Sequence, residues 1–309
     1  MGDKATRAAL GETLNELLAD GFDVVAVEAD LSKSTTTATF QDAHPDRFFN
    51  AGIAEANMID VAAGLAVTGK IAFTGSFAVF ATGRAYDQVR NTVCYSDLGV
   101  KLAPTHSGIT VGPDGGSHQM VEDLALMRVL PGMRVVVPAD YNSAKSALRL
   151  AAQTPGPFYV RLGRVGVPPV YDADFRMELG KAYVLREGAD VTLAACGVMV
   201  GEALQAALEL AAEGVSAEVI DVASIKPIDA DTLVASATKT GAVVTCEEHS
   251  IIGGLGSAVA ELLGERCPVP MRRVGVRDVF GTSGEPEELM AYFGLTASDI
   301  VAAARQLLE

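Results

Sequence analysis

The sequence predicts an α/β protein made of two doubly wound domains, and three observations support this prediction. The first is the length of 309 residues, which exceeds one ordinary domain and suits two domains of roughly 150 residues each. The second is the composition, since 49% hydrophobic residues and 31 glycines are typical of well-filled α/β cores. The third is the alternation of short apolar strands with helical segments in both halves of the chain.

In the first half, wholly apolar runs predict strands and longer amphipathic or small-residue runs predict helices. The run 24–27 is apolar throughout, as expected of a strand in a parallel sheet that is covered on both faces. Asp140 is the predicted N-cap of a helix. The predicted order is helix 4–20, strand 24–27, helix 54–68, strand 71–73, helix 84–95, strands 100–103 and 135–137, helix 140–152 and strand 158–161.

Proline and glycine cluster at residues 164–169, which indicates a boundary between domains. We expect a first domain over residues 1–165, a linker over 166–186 and a second domain over 187–309. In the second domain the alternation restarts, with strands 191–195, 217–221, 243–246 and 272–276 and helices near 200–213, 229–239, 254–264, 285–293 and 296–308.

Charge and cysteine content exclude several classes of function. A net charge of −15 disfavours nucleic acid and anionic membranes as partners, although a few local arginines can still attract a phosphorylated metabolite. No apolar run reaches the ~18 residues that a membrane span needs, and the N-terminus has no secretory pattern. The four cysteines lack the spacing of a zinc site or a disulfide framework. We therefore expect a cytoplasmic protein with no metal ligands of its own.

Functional residue types concentrate in loops that follow predicted strands, which is where such sheets bind ligands. Glu55 lies in the first turn of a predicted helix, after Gly52 and among apolar residues. Taken alone, Glu55 is a residue that complements the helix dipole. Its apolar surroundings change that interpretation, because an unpaired buried glutamate is costly. Some group should therefore donate a hydrogen bond to it.

Three further segments have an unusual composition. Phe77 and Phe80 lie close together beside glycines, although core packing is the commoner role of such a pair. Residues 105–119 combine two histidines and an aspartate with four glycines, a mixture that suits close approach to a ligand and proton transfer near neutral pH. Arg164 follows a strand end, where it suits either a phosphate or the role of a solvated linker charge.

Taken in order, four motifs resemble the pyrimidine-binding and C-terminal domains of transketolase over nearly the whole chain. They are G-I-A-E, F-A-V-F-A-T-G-R-A-Y-D-Q, T-H-S-G-I-T-V-G-P-D-G-G-S-H-Q and R-L-G-R. The resemblance implies that Glu55 contacts N1′ of the aminopyrimidine of thiamine diphosphate and so promotes loss of the thiazolium C2 proton. Acid–base help of this kind is worth about 10²–10⁴ in rate. Phe77 and Phe80 would line the pyrimidine or stack on it.

The same resemblance assigns residues to the sugar substrate. His118 would contact the hydroxyl and carbonyl oxygens of the donor and act in catalysis, while Asp114 would recognise the stereochemistry of a donor hydroxyl. The expected phosphate ligands are His106, Arg164, Ser34 and Arg7. Each charge-assisted hydrogen bond to phosphate contributes ~1.5–3 kcal/mol, enough to offset the acidic surface.

One departure from the family is the absence of a Gly-Asp-Gly segment. Transketolases hold the diphosphate and its divalent metal with this segment and a later asparagine, both in an N-terminal domain. The resemblance therefore implies a subunit of a split transketolase of pentose phosphate metabolism. A partner subunit would supply the diphosphate-binding domain and Mg²⁺ or Ca²⁺, in an α₂β₂ assembly that acts on sugar phosphates.

Other thiamine enzymes remain as alternatives. Deoxyxylulose-phosphate synthase and the β subunit of a 2-oxoacid dehydrogenase share the glutamate and a helix like R-A-Y-D-Q. A short 2-oxo acid needs no distant phosphate clamp, so Asp114, His118 and Arg164 disfavour the β subunit. A non-catalytic regulatory subunit is disfavoured because a scaffold has no need of Glu55 or His106.

The second domain contains a glycine-rich turn at residues 253–256, in a position where an anion could bind a helix N-terminus. Its pattern is G-G-x-G rather than G-x-G-x-x-G, so a dinucleotide site is not expected. We assign no catalytic role to this domain, and we expect His249 to be an interface residue or a satisfied polar one.

Overall fold

The computed structural model describes residues 3–309, which form two parallel-rich sheets with helices packed against them. This architecture confirms the predicted α/β fold with two doubly wound domains. A two-stranded antiparallel ribbon, β1 and β8, joins the start of the chain to the segment after the first domain. Its strands are β1 (Lys4–Ala5) and β8 (Gly166–Val167).

The first sheet has seven strands in the order β12-β6-β7-β5-β4-β2-β3. All neighbours are parallel except β12, which is antiparallel to β6 and comes from the second half of the chain. The strands are β2 (Val24–Glu28), β3 (Phe48–Asn50), β4 (Ile71–Gly75), β5 (Val100–Leu102), β6 (Arg134–Val136), β7 (Phe158–Val160) and β12 (Ser224–Lys226).

The second sheet has five strands in the order β14-β13-β10-β11-β9. Only β9 runs antiparallel to its neighbour, and it begins inside the predicted linker. The strands are β9 (Tyr183–Arg186), β10 (Val191–Ala195), β11 (Ala217–Asp221), β13 (Val243–Ser250) and β14 (Met271–Val276). The domain boundaries at 165 and 187 stay a prediction, but segment 166–186 contributes to both the ribbon and the second sheet.

Helices cover both faces of the sheets. In the first half they are α1 (Ala9–Ala19), α2 (Ser32–Thr35), α3 (Ala38–Ala43), α4 (Glu55–Val67), α5 (Tyr86–Gln88), α6 (Asp123–Arg128) and α7 (Tyr141–Gln153). In the second half they are α8 (Met199–Ala212), α9 (Ala230–Thr240), α10 (Leu255–Arg266), α11 (Pro286–Tyr292) and α12 (Ala297–Leu308). The predicted N-cap is confirmed, since the Asp140 side chain accepts from the Ser143 N–H at 2.8 Å.

Two predicted helices differ from those observed. The helix predicted at 4–20 begins only at Ala9, because Lys4–Ala5 pairs with β8 and Thr6–Ala8 form a 3₁₀ turn. The helix predicted at 84–95 is a longer segment whose turns at Val79–Arg84 and Val89–Cys94 are π-helical. Such wide turns change which side chains face the neighbouring helix, and they are frequent at functional sites.

Hydrophobic clusters of buried residues cross the boundary between the two domains. The largest of these clusters joins Val27 and Met58 of the first domain to Ile220 and Leu255 of the second. The two domains therefore pack directly against each other through buried apolar side chains. In residues 3–309 no helix has the length and apolar character to cross a membrane.

Candidate active site

Glu55 lies at the start of α4 with only 2% of its surface exposed. The chain turns into the helix at Gly52, whose φ of +73° lies in the left-handed region that glycine tolerates best. Both Glu55 carboxylate oxygens accept from Arg84 Nη1, at 2.9 and 3.1 Å. The expectation that a buried Glu55 needs a hydrogen-bond donor is confirmed, and the donor is a residue to which the sequence assigned no role.

A group of aromatic rings lies beside this pair. Phe77 and Phe80 are parallel, with centroids 5.9 Å apart and planes 12° apart. His106 stacks on Phe77 at 3.7 Å, and His118 meets the edge of Phe80 at 5.5 Å. Phe77 is only 6% exposed whereas Phe80 is half-buried, so Phe80 offers the more accessible ring. The guanidinium carbon of Arg84 lies 4.5 Å from the Phe80 centroid.

His106 is a neutral imidazole in this environment. Burial, together with the positive charges of Arg7 and Arg164, lowers its pKa to about 3. Its Nδ1 lies 2.7 Å from Thr105 Oγ1, and its Nε2 lies 3.3 Å from Arg7 Nη1. Because a guanidinium can only donate, Nε2 accepts and Nδ1 carries the proton. A phosphate that accepts from Nε2 would therefore require the other tautomer, in which Nε2 carries the proton and Thr105 Oγ1 donates to Nδ1.

Two arginines create a positive region next to His106. Arg7 Nη1 donates to the backbone oxygen of Ser34 at 2.7 Å, and within residues 3–309 Arg7 has no carboxylate within salt-bridge distance. Arg164 donates to the Val111 carbonyl and lies 3.6 Å from Asp114. Burial and the nearby Arg164 charge lower the pKa of Arg7. Two adjacent, incompletely neutralised guanidiniums are suited to an anion.

The second domain holds the glycine-rich loop 105–119 in place. The Glu248 carboxylate accepts from the Thr110 N–H at 2.6 Å and fills the space beside Gly108, where a Cβ would overlap it. Gln119 Nε2 donates to the backbone oxygen of Thr282 at 2.8 Å. The loop that bears Asp114 and His118 therefore depends on the second domain for its shape.

A buried ion pair joins the two domains behind this loop. Arg161 donates to both oxygens of Asp123, at 2.7 and 3.0 Å, and also to the backbone oxygen of Glu248 at 3.0 Å. Burial opposes ionisation of Asp123, but the Arg161 guanidinium overcomes it and holds the pKa of that carboxyl below its usual value. His249 is fully buried next to this pair, and its Nδ1 lies 2.7 Å from the Ser250 oxygen. Its role as a satisfied polar residue is confirmed.

The glycine-rich turn of the second domain already holds an anion of its own chain. The Glu247 carboxylate accepts from the N–H groups of Leu255 and Gly256, at 2.7 and 2.8 Å. A Cβ at Gly254 would overlap this carboxylate, which explains the glycine. The expectation that an external anion could bind at this helix N-terminus is therefore wrong in this structure, because the site is filled by Glu247.

The structure brings all of the predicted site residues into one continuous group. The contacts run from Glu55 through Arg84 and Phe80 to Phe77, which contacts both His118 and His106. From His106 they continue to Arg7 and Ser34, with Arg164 and Asp114 beside them. Their individual roles stay predictions. Arg84 is the residue that sequence reasoning missed, although the need of Glu55 for a donor was a signal. Among residues 3–309 no three His, Cys, Asp or Glu side chains are grouped to hold a metal.

Comparison with known proteins identifies the family of both domains. Residues 3–169 match the transketolase pyrimidine binding domain, and residues 180–300 match the transketolase C-terminal domain. A putative transketolase C-terminal section of Methanocaldococcus jannaschii is 47% identical over 309 residues, covering 99% of this chain and 96% of that protein.

Two further relatives agree with this match. The 6-deoxy-6-sulfo-D-fructose transketolase subunit SqwH of Clostridium sp. strain MSTE9 is 49% identical, covering 93% of this chain and 89% of that protein. A solved structure described as a split gene transketolase, inactive β4 tetramer, is 54% identical with a TM-score of 0.92, covering 99% of each chain. The chain therefore belongs to the transketolase family and corresponds to its C-terminal section, which split transketolases carry as a separate subunit.

Proposed function

We propose that this chain supplies the pyrimidine-activating half of a transketolase active site. The enzyme would transfer a two-carbon ketol unit from a ketose phosphate to an aldose or aldose phosphate. The observation that supports this most is the position of Glu55: a carboxylate 2% exposed that opens α4 and faces, through Arg84, the accessible ring of Phe80. A glutamate with a purely structural role would need neither the Phe80 ring nor the polar loop 105–119 nearby.

The residues present fit the pyrimidine end of thiamine diphosphate, the cofactor that the family implies. Glu55 offers a buried acceptor for a ring nitrogen, and Phe80 offers a half-buried aromatic face that Arg84 contacts while it donates to Glu55. When bound, the cofactor supplies the carbanion chemistry that cleaves and forms the carbon–carbon bond. Glu55 would hold and return a proton at N1′, work that requires a carboxylate shielded from water.

The remaining residues would bind a sugar phosphate along its length, from the reacting carbonyl end to the phosphate. His118 lies against Phe80 and would reach the oxygens near the donor carbonyl. Asp114 is exposed nearby and would read a donor hydroxyl. Arg7, Arg164 and the neutral His106 would bind the phosphate, because their combined charge exceeds that of the single carboxylate near them. Ser34 would be a further phosphate ligand, and its backbone oxygen also accepts from Arg7.

A partner chain would hold the diphosphate and its divalent metal, Mg²⁺ or Ca²⁺. Within residues 3–309 no side-chain group is arranged for a metal, and the sequence has no Gly-Asp-Gly. Relatives of similar length are named as subunits, among them an apulose-4-phosphate transketolase subunit of Phocaeicola vulgatus, which is 38% identical. We infer an α₂β₂ assembly in the cytoplasm, in which each active site is completed by two different chains.

The test is reconstitution with a partner chain that carries Gly-Asp-Gly, followed by assays of ketol transfer and of pyruvate decarboxylation. We expect ketol transfer only with both chains, thiamine diphosphate and Mg²⁺ present. Glu55→Ala should lower kcat at least about 10²-fold. The control is Glu265→Ala, at an exposed carboxylate in α10.

Three outcomes would contradict parts of the proposal. Full turnover by this chain alone would refute the shared active site. Pyruvate decarboxylation in place of ketol transfer would favour deoxyxylulose-phosphate synthase or a 2-oxoacid dehydrogenase subunit. Unchanged activity of Glu55→Ala would indicate a regulatory subunit.

A further inference from the structure

Arg84 makes two contacts at once, and each involves a residue assigned above to the aminopyrimidine. Its Nη1 lies 2.9 and 3.1 Å from the two oxygens of Glu55. Its guanidinium carbon lies 4.5 Å from the centroid of the Phe80 ring. In residues 3–309 no other group donates a hydrogen bond to the Glu55 carboxylate. Arg84 therefore pairs with the buried Glu55 carboxylate and also covers one face of the Phe80 ring.

A guanidinium is a planar, delocalised group with N–H donors at its edge, and it stacks well on aromatic rings. A protonated aminopyrimidine shares these properties, since it is flat and presents N–H groups at one edge. Both groups would use the same acceptor, Glu55, and lie near the same ring, Phe80. Because Arg84 Nη1 is shared between the two oxygens, neither oxygen is left without a donor.

Arg84 also has a path away from the site. Its side chain is 55% exposed, whereas that of Glu55 is 2% exposed. It lies at the end of the π-helical turn Val79–Arg84, next to the α-helical residues Tyr86–Gln88. A long exposed side chain can rotate into solvent without rearranging the core.

We propose that Arg84 is a further residue of the cofactor site, which occupies the place of the aminopyrimidine until the cofactor displaces it. This inference rests on the function proposed above. In the chain without cofactor, Arg84 keeps the Glu55 carboxylate paired. In the complete enzyme it leaves Glu55 free to share a proton with N1′. Cofactor affinity is then reduced by the strength of the internal pair that must first be broken.

The experiment is calorimetric titration of thiamine diphosphate, with Mg²⁺, into the reconstituted two-chain complex. Arg84→Met removes the charge and the donors but keeps the length of the side chain. The matched control is Arg90→Met, an exposed arginine in the next π-helical turn whose side chain donates to Asn91. Glu55→Gln tests the proposed function itself.

We expect Arg84→Met to bind thiamine diphosphate about 2–5-fold more tightly than the wild type, because a competitor of ordinary ion-pair strength is gone. Arg90→Met should bind as the wild type does. Equal or weaker binding by Arg84→Met would overturn the proposal, since it would make Arg84 a neutral or supporting contact.

A structure of the wild-type complex with cofactor gives a second, independent readout. We expect Arg84 Nη1 to have moved beyond hydrogen-bond distance of Glu55, and an intact pair would overturn the proposal even if the affinities agreed. This readout also decides the outcome if Arg84→Met does not assemble with the partner. Failure of the proposed function looks different, because the wild type would then not bind the cofactor, or Glu55→Gln would transfer ketol units as fast as the wild type.

Discussion

The buried ion pair between the domains allows a quantitative prediction. Replacing Arg161 by Met leaves Asp123 with no counter-ion at 0% exposure, and its remaining donor is the Tyr159 hydroxyl at 2.6 Å. In the wild type His249 adds no positive charge near pH 7, because burial lowers its pKa to about 4. Breaking a buried pair by removing one partner typically costs about 3–5 kcal/mol. The carbonyls of Met120 and Glu248 also lose a donor.

The assay is calorimetric thermal unfolding of the whole chain at pH 7. For a protein of this class each kcal/mol shifts Tm by roughly 2–4 °C, so we expect Arg161→Met to lower Tm by roughly 6–20 °C. The control is Arg305→Met. Arg305 contacts Glu213 through Nε and Nη2, the same two-point geometry, but its side chain is 55% exposed. We expect the control to unfold within a degree or two of the wild type, as surface pairs do.

A second variant separates the lost charge partner from the lost packing. In Arg161→Met with Asp123→Asn, the uncompensated charge is gone but Tyr159 keeps an acceptor. We expect this double variant to recover about half of the lost stability. The reasoning is refuted if Arg161→Met is no less stable than Arg305→Met, or if the double variant is as unstable as the single one.

Two further predictions concern stability. Gly108 has a φ of +78° and packs against the Glu248 carboxylate. Gly108→Ala should therefore lower the free energy of unfolding, measured in urea, by about 2–4 kcal/mol. The control is Gly64→Ala, in open space in α4, and equal effects of the two variants would contradict the packing argument. Burial raises the pKa of Asp221 to about 7, so its proton stabilises the fold at low pH and that stability is lost as pH rises through about 7. Asp221→Asn should therefore raise Tm above that of the wild type by more at pH 8 than at pH 5, with roughly 1–4 kcal/mol at pH 8; a difference independent of pH would contradict the assignment.

Much of the fold could be predicted from the sequence because parallel strands buried on both faces are apolar throughout. Val24–Glu28 and Val191–Ala195 are of this kind, and both were located to within a residue. The loops of the site were predictable for a related reason, since the carboxyl ends of parallel strands meet at one edge. Ser224–Lys226 was missed, because a short polar strand that crosses to the other sheet has no local signature.

The site itself was predicted as a set of residues but not as a set of contacts. The Arg84–Glu55 pair depends on π-helical turns, which rotate Arg84 relative to a regular helix and have no periodic pattern in sequence. In the same way, Glu247 lies several residues before the glycine-rich turn whose N–H groups its carboxylate accepts from. The two come together only because the chain folds back after the strand. Contacts of this kind depend on tertiary structure, which local propensity does not contain.

Strand β12 has a consequence for how such a protein can be divided between genes. It comes from the second half of the chain but completes the edge of the first sheet beside β6. A break near residue 165 or 187 would leave β6 as an open edge, the kind of surface through which proteins aggregate. It would also open the shared core. We therefore expect both domains to be encoded together on one polypeptide. A gene for a larger enzyme could be split before or after these two domains, but a split between them would disrupt the first sheet.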